Sequence, residues 1–290
     1  MLLRVLARFL VPLWFRGVCV RGLGRVPKRG GVLIIANHPC SLVDAFVLAA
    51  VLPRRVRISA KRALVARWSL RVALWIIGAV LLVQHDREED GDGTNLAAMR
   101  ELLGALRGGA AVVFFPEGVA HSDAELRPFH PGAAWLAVQA RVPVLPVRLA
   151  YVHKERPGAD VAIAIGEPFF ATGSREAVTD AMREALEALR DDVVSDPPRR
   201  VRWRILLSLP LLPLALVQHA FPAWLAWRKS RPKQPHSAVT AALIHALVVF
   251  PLWWLFEIAL VASVSPRGAM LFAALIPFSL CAMSWRRVCY

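Results

Sequence analysis

Between residues 31 and about 195 the chain repeats one pattern, a short run rich in Val and Ile followed by a stretch of helical length. The runs "GVLIIAN", "RVRISA", "GAVLLVQ", "AAVVFFPEG", "VPVLPVRLAY" and "DVAIAIGEP" are bounded by Gly, Pro or Asn and have the length and composition of buried strands. Between them, "SLVDAFVLAAVL", "TNLAAMRELLGALRGG" and "GAAWLAVQARV" are suited to helices, and "SREAVTDAMREALEALRDDV" is an amphipathic helix with Ser174 at its cap and an end near Pro197. Alternation of this kind specifies an α/β domain, a mostly parallel sheet flanked by helices, expected over residues 23–198. In such sheets reactive groups gather at the carboxyl ends of the strands.

The tail, 199–290, differs in kind and is expected to be a hydrophobic helical membrane tail. Ile205 to Trp227 carries no Asp, Glu, Lys or Arg, Ala238 to Ser265 carries only Glu257, and Gly268 to Trp285 carries none, each near the ~20 residues that cross a bilayer. Arg199, Arg200, Arg202 and Arg204 precede the first segment and Arg228, Lys229, Arg231 and Lys233 follow it, which puts both its ends on one side if positive charge stays cytoplasmic. Pro210, Pro213 and Pro222 also oppose a straight span, so 205–227 is expected to be re-entrant or interfacial. The segments 238–265 and 268–285 then form a transmembrane hairpin turning at Ser265-Pro266-Arg267-Gly268, with Arg286 and Arg287 returning the end to the cytoplasmic side.

The N-terminal stretch 1–22 interrupts its apolar run with Arg4, Arg8 and Arg16 and has no small-residue cleavage site, unlike a signal peptide. It reads as an interfacial helix, or else as an ordinary first helix packed on the domain. The chain is 57% hydrophobic with a formal net charge of +15, which favours an anionic membrane surface over nucleic acid, for which no reading motif is present. Cys19, Cys40, Cys281 and Cys289 lack metal-ligand spacing and read as thiols of a reducing compartment.

Two strand ends carry chemistry. In "IIANHPCSLVDAF", residues 34 to 46, an imidazole and a carboxylate stand at the joint between a strand and a helix. Ser41 and Asp44 fit a capping box, in which Asp44 only satisfies backbone donors. Alternatively Asp44 takes a ring N–H of His38, fixing the tautomer and leaving the other nitrogen as a base for a hydroxyl near neutral pH. In "VVFFPEGVAHSDAELRPFHPGAAWLA", Glu117 is an acid at a strand end and Gly118 permits close approach, or the pair is a turn with a solvated Glu; Arg127 and His130 follow, placed to meet a phosphate.

"NHPCSLVDAFVLA", "FPEGVAHSDAELRPFHPGAA" and "VPVLPVRLAY" together resemble three of the four blocks of the glycerolipid acyltransferase family, over roughly residues 20 to 170. That family includes glycerol-3-phosphate and 1-acylglycerol-3-phosphate acyltransferases, and the hydrophobic tail resembles a bacterial subgroup of it. The resemblance implies His38 as catalytic base, Asp44 as its partner, and Glu117 and Gly118 as part of the acceptor pocket. It implies acyl-CoA or acyl-carrier protein as co-substrate, with no metal or other cofactor, and membrane lipids as partners. Five residues, Pro39 to Val43, separate His38 from Asp44, where the commonest family block has four. The block "GAVLLVQHDREED" has Gln84 or His85 where a phosphate-binding Arg is expected, leaving Arg87 as a substitute. Lys61 aligns with a basic position after the second of these strands and is a further phosphate contact, or a solvated surface Lys.

The expected function is a membrane-bound acyl transfer to 1-acylglycerol-3-phosphate or glycerol-3-phosphate in phospholipid synthesis, on the cytoplasmic face of the cytoplasmic membrane. The alternatives are a different lysolipid or amino-lipid acceptor, or a non-catalytic lipid-binding protein of the same fold. A covalent route through Cys40 is also conceivable, although nothing beside it marks a lowered thiol pKa.

Overall fold

The computed structural model describes residues 11, 15–61, 80–82, 94–121, 125–152, 159–194, 222, 224–225, 249, 252–283 and 287–289. Its sheet comprises β1 (Phe15–Arg21), β2 (Val32–Ala36), β3 (Val56–Lys61), β4 (Val80–Leu82), β5 (Ala111–Phe114), β6 (Pro143–Val152), β7 (Ala159–Ile165), β8 (Phe169–Phe170) and β9 (Arg287–Cys289), in the order β4-β3-β5-β2-β6-β7-β1-β9 with β8 beside β6. The helices are α1 (Leu42–Val51), α2 (Thr94–Arg107), α3 (Gly132–Ala140), α4 (Arg175–Glu187), α5 (Arg190–Val194) and α6 (Pro266–Met283). Residues 252–264 are also helical.

All six expected runs are strands, and β4, β3, β5, β2 and β6 are parallel. The pairing between β6 and β7 is antiparallel, and beyond it β7, β1 and β9 are again parallel to one another. Strand alternation sorts the apolar side chains into two layers. Val32, Ile34 and Ala36 of β2, Val113 and Phe115 at β5, and Leu145, Val147 and Leu149 of β6 pack with α1. Leu33, Ile35, Val112, Phe114 and Val144 face the opposite way, onto α2, α3 and α4. The sheet is thus buried on both faces, as the near-continuous hydrophobic runs require.

The N-terminal expectation is corrected. Phe15–Arg21 is a strand paired with β7 and β9, so no interfacial helix runs to residue 22 and the sheet begins at Phe15 rather than at 23. Gly17 followed by Val18-Cys19-Val20 disfavours a helix, and Phe15, Val18, Cys19 and Val20 are buried. Residues 1–10 lie outside the described residues. Ser174 caps α4 as expected, its Oγ accepting from Ala177 N at 3.2 Å, but that helix stops at Glu187 and α5 resumes at Arg190.

In the tail, 199–221 and most of 226–251 lie outside the described residues, including nearly all of the re-entrant segment. Among the described residues, no helix is long and apolar enough to cross a membrane. The expected turn at 265–268 narrows to one non-helical residue, because Pro266, Arg267 and Gly268 belong to α6. Ser265 caps α6, its Oγ accepting from Gly268 N at 3.1 Å, and Pro266 takes the first helical position, where its missing N–H costs nothing.

Candidate active site

Because β2 and β5 are adjacent and parallel, the residues that follow them emerge at the same sheet edge. His38 follows β2 and Glu117 follows β5, which is why two segments far apart in sequence meet. The strand β6 lies on the other side of β2 and runs past it, since Ala36 already pairs with Val147. Asn37 fills the gap as β2 leaves the sheet: its Nδ2 donates to Leu149 O at 2.9 Å and its Oδ1 accepts from Leu149 N at 2.7 Å.

His38 Nδ1 lies 2.9 Å from Asp44 Oδ2. Asp44 is fully buried, and its Oδ2 also accepts from Cys40 N at 2.9 Å while Oδ1 accepts from the Tyr151 hydroxyl at 2.6 Å. A carboxylate in its ionised form only accepts, so with a neutral ring this contact calls for the proton on Nδ1 and leaves Nε2 its lone pair. Phe115 stacks on the imidazole, with ring centroids 4.0 Å apart and planes 19° apart. The His38 side chain is 17% exposed, whereas its partner Asp44 is fully buried. The capping box does not form: Ser41 makes no side-chain cap, and the Asp44 carboxylate is turned to His38. Instead Val43 N donates to Cys40 O at 3.3 Å and Ser41 adopts φ 55°, ψ −134°, close to the first central position of a type II′ turn, where Gly is usual.

Glu117 is held from three sides. Its Oε1 accepts from His38 N at 3.1 Å, its Oε2 accepts from Arg127 N at 2.8 Å, and the His121 ring Nε2 bonds the same oxygen. His121 N in turn donates to His38 O at 3.1 Å, closing a ring of contacts between the two loops. Glu117 is 1% exposed, its carboxylate enclosed by the two loops that it joins. The cause is the left-handed Gly118, φ 67°, whose turn folds the chain back over Glu117.

The exposed Arg127 and His130 lie in the returning loop, and His130 N donates to Pro116 O at 2.9 Å, so both stand beside the Pro116–Gly118 turn. Lys61 ends β3 at the same edge of the sheet, beyond β5 from His38. Gln84, His85 and Arg87 lie outside the described residues. Cys40 is fully buried and its backbone serves Asp44. Sequence reading missed Asn37, His121 and Tyr151 as parts of this arrangement. The "HSD" after "FPEG" and the Tyr closing the β6 run stand in the quoted motifs, but only strand adjacency reveals what they touch.

Comparison with known proteins converges on one group. Residues 17–150 match the family model described as Acyltransferase. The chain is 34% identical over 143 residues to the Homo sapiens 1-acyl-sn-glycerol-3-phosphate acyltransferase alpha, covering 47% of this chain and 48% of that protein. It is 24% identical over 196 residues to a chloroplastic 1-acyl-sn-glycerol-3-phosphate acyltransferase of Brassica napus, covering 62% of this chain and 55% of the relative. The chain thus spans about half the length of the curated relatives it matches. The crystal structure of the 1-acyl-sn-glycerophosphate acyltransferase PlsC from Thermotoga maritima superposes with a TM-score of 0.51 at 22% identity, covering 67% of this chain and 81% of that one, a likeness of fold.

Proposed function

From residues 17–150, which match the family model described as Acyltransferase, and the likeness to 1-acyl-sn-glycerol-3-phosphate acyltransferases, we propose a membrane-bound enzyme that moves a fatty acyl group from acyl-CoA or acyl-carrier protein to a hydroxyl of 1-acylglycerol-3-phosphate or glycerol-3-phosphate. The observation that carries this reading is the 2.9 Å contact of His38 Nδ1 with Asp44 Oδ2, which leaves Nε2 at the sheet edge as a base.

In the reaction, Nε2 takes the proton of the acceptor hydroxyl as its oxygen attacks the thioester carbonyl. Asp44 stabilises the imidazolium that forms, as a buried carboxylate partner does. Backbone N–H groups at the joint hold the oxyanion, which collapses and expels the thiolate; the thiolate takes the proton back from Nε2. No covalent acyl-enzyme is formed, in keeping with the burial of Cys40.

Arg127, His130, Lys61 and Arg87 supply positive charge for the acceptor phosphate, Gly118 lets it approach, and Glu117 acts by tying the loops together. The tail, with basic groups at 199–204, 228–233 and 286–287, anchors the domain on the cytoplasmic face. Exposed Leu252, Leu255, Phe256 and Leu260 follow helical spacing and support contact with lipid. A second reading, an acceptor without phosphate such as an amino-lipid hydroxyl, is favoured by Gln84-His85 where the family has Arg.

The test is release of thiol from acyl-CoA and from acyl-carrier protein by the purified full chain, across phosphorylated and unphosphorylated acceptors. His38→Ala should lower turnover by a factor of about 10² to 10⁴ in a protein that still folds. Full turnover in that variant would overturn the mechanism.

A further inference from the structure

The carboxylate of Asp44 is fully buried, so each of its oxygens needs a donor within the protein. Oδ2 has two, His38 Nδ1 and Cys40 N, both 2.9 Å away. The donor for Oδ1 comes from a distant part of the chain, the hydroxyl of Tyr151 at 2.6 Å, within the range of short charge-assisted O–H···O⁻ bonds. We propose that Tyr151 is a positioning residue of the His38–Asp44 pair, holding Oδ1 so that Oδ2 stays aligned on the imidazole and setting how strongly Asp44 draws the proton of His38. This inference rests on the base role given above to His38.

The placement follows from the sheet. In β6, Leu145, Val147 and Leu149 face α1, and two-residue alternation puts Tyr151 on that face. Because β6 overruns β2, Tyr151 stands beside the joint that carries His38 rather than under β2 itself. The ring is wedged against Phe15 of β1, with centroids 5.6 Å apart, so the hydroxyl has little freedom to leave Asp44. The groups facing Tyr151 are Asp44 from α1 and Cys40 from the turn before it. Around His38 stand Asp44, Phe115 and, through backbone contacts, Glu117 and His121. Burial first, and then the Asp44 charge, push the Tyr151 phenol well above its ordinary value, so it remains a donor across the working pH range.

The energetic argument has a definite sign. A donor to Oδ1 disperses the Asp44 charge. Removing it concentrates that charge on Oδ2, strengthens the pull on His38 H⁺, and raises the pH at which His38 loses its proton. A residue that merely filled space would leave that value alone.

The experiment compares the full-length protein with Tyr151→Phe, which keeps the ring against Phe15, following the His38 ring titration by NMR of isotope-labelled histidine and the pH profile of kcat/KM. The chain has eight His, and His38 is assigned by the signal lost in His38→Gln. In Tyr151→Phe the His38 midpoint should rise by about half a pH unit or more, kcat should fall roughly tenfold, and acceptor KM should stay within about twofold. In an Asp44→Asn background the same substitution should leave the midpoint in place, because the tyrosine acts only through Asp44. Should Tyr151→Phe not fold, 3-fluorotyrosine at the same position keeps the shape, is a stronger donor, and should move the midpoint down. An unmoved midpoint, or an equal shift in both backgrounds, overturns the proposal. A midpoint that moves as described in a protein that transfers no acyl group upholds the positioning and overturns only the reaction assigned above.

Discussion

Asn37 and Leu149 exchange two hydrogen bonds, side-chain amide against backbone, so that a single Asn continues the ladder between β2 and β6 after β2 has turned away. Both backbone groups of Leu149 lie in a buried setting. Asn37→Ala strands one donor and one acceptor, which should cost about 2–6 kcal/mol, given ~1–3 kcal/mol for each buried group left without a partner. Urea unfolding followed by circular dichroism should show the midpoint falling with an unchanged slope, and turnover should fall with it, because the same residue sets the start of the His38 turn.

The sealed position of Glu117 separates two roles in kinetics. A carboxylate in the acceptor pocket would change KM when neutralised. Glu117 instead receives His38 N, Arg127 N and the His121 ring. Glu117→Gln should therefore lower kcat about tenfold or more through misplacement of His38, with acceptor KM nearly constant. A change confined to KM would place Glu117 in the pocket.

Ser41 occupies a backbone region that L side chains seldom adopt, at φ 55°. Ser41→Gly should relieve that strain and stabilise the fold by roughly 1 kcal/mol once the added chain entropy of Gly is subtracted, read as a higher thermal midpoint. The bulkier β-branched Ser41→Val should lower it by a similar amount or more. A turn that relaxes in solution to ordinary φ would show the reverse order.

Alkaline unfolding carries the mark of Tyr151. Its phenol is raised by burial and by Asp44, so the folded form holds the proton more tightly than the unfolded one. The associated stability is fully present below the unfolded phenol value of ~10 and is lost as pH rises through the folded value. Urea midpoints should fall more steeply above about pH 10 in the wild type than in Tyr151→Phe. In the ultraviolet, the difference between the two proteins isolates one phenol of the two in the chain, and it should ionise well above pH 10.

Topology is open to cysteine labelling with a membrane-impermeant reagent on intact cells, in a background without Cys19, Cys40, Cys281 and Cys289. Ser265→Cys should label and Ser230→Cys should not, as expected when the basic clusters flanking the tail segments remain inside. Labelling at position 230 from outside would mean that 205–227 spans the bilayer.

How much of this was legible in sequence depended on range. The six strands were, because Val- and Ile-rich runs such as "VLIIA" have little choice once both faces are covered. The His38–Asp44 pair was legible as one of two readings, and in the structure one Asp44 oxygen meets both the ring and the Cys40 N–H just before the helix. β1 was not, since the basic, apolar stretch 1–22 read as one helix, a reading that the pairing of Phe15–Arg21 with β7 overrode. Tyr151 and His121 escaped for a different reason. Tyr151 is 107 residues from Asp44, and no local pattern announces a contact that depends on β6 overrunning its neighbour.

The last described strand, β9, lies beside β1 in the same sheet that carries the site. α5 ends at Val194, against that sheet. The chain between them therefore leaves the sheet after Val194 and is back at its edge at β9. Such a loop can pass through a bilayer only an even number of times, whatever path it takes, so that inserting or deleting a single crossing would tear β9 from the edge it completes. Both ends of that loop are tied to the same sheet, and the proposed hairpin with its re-entrant first segment satisfies the parity.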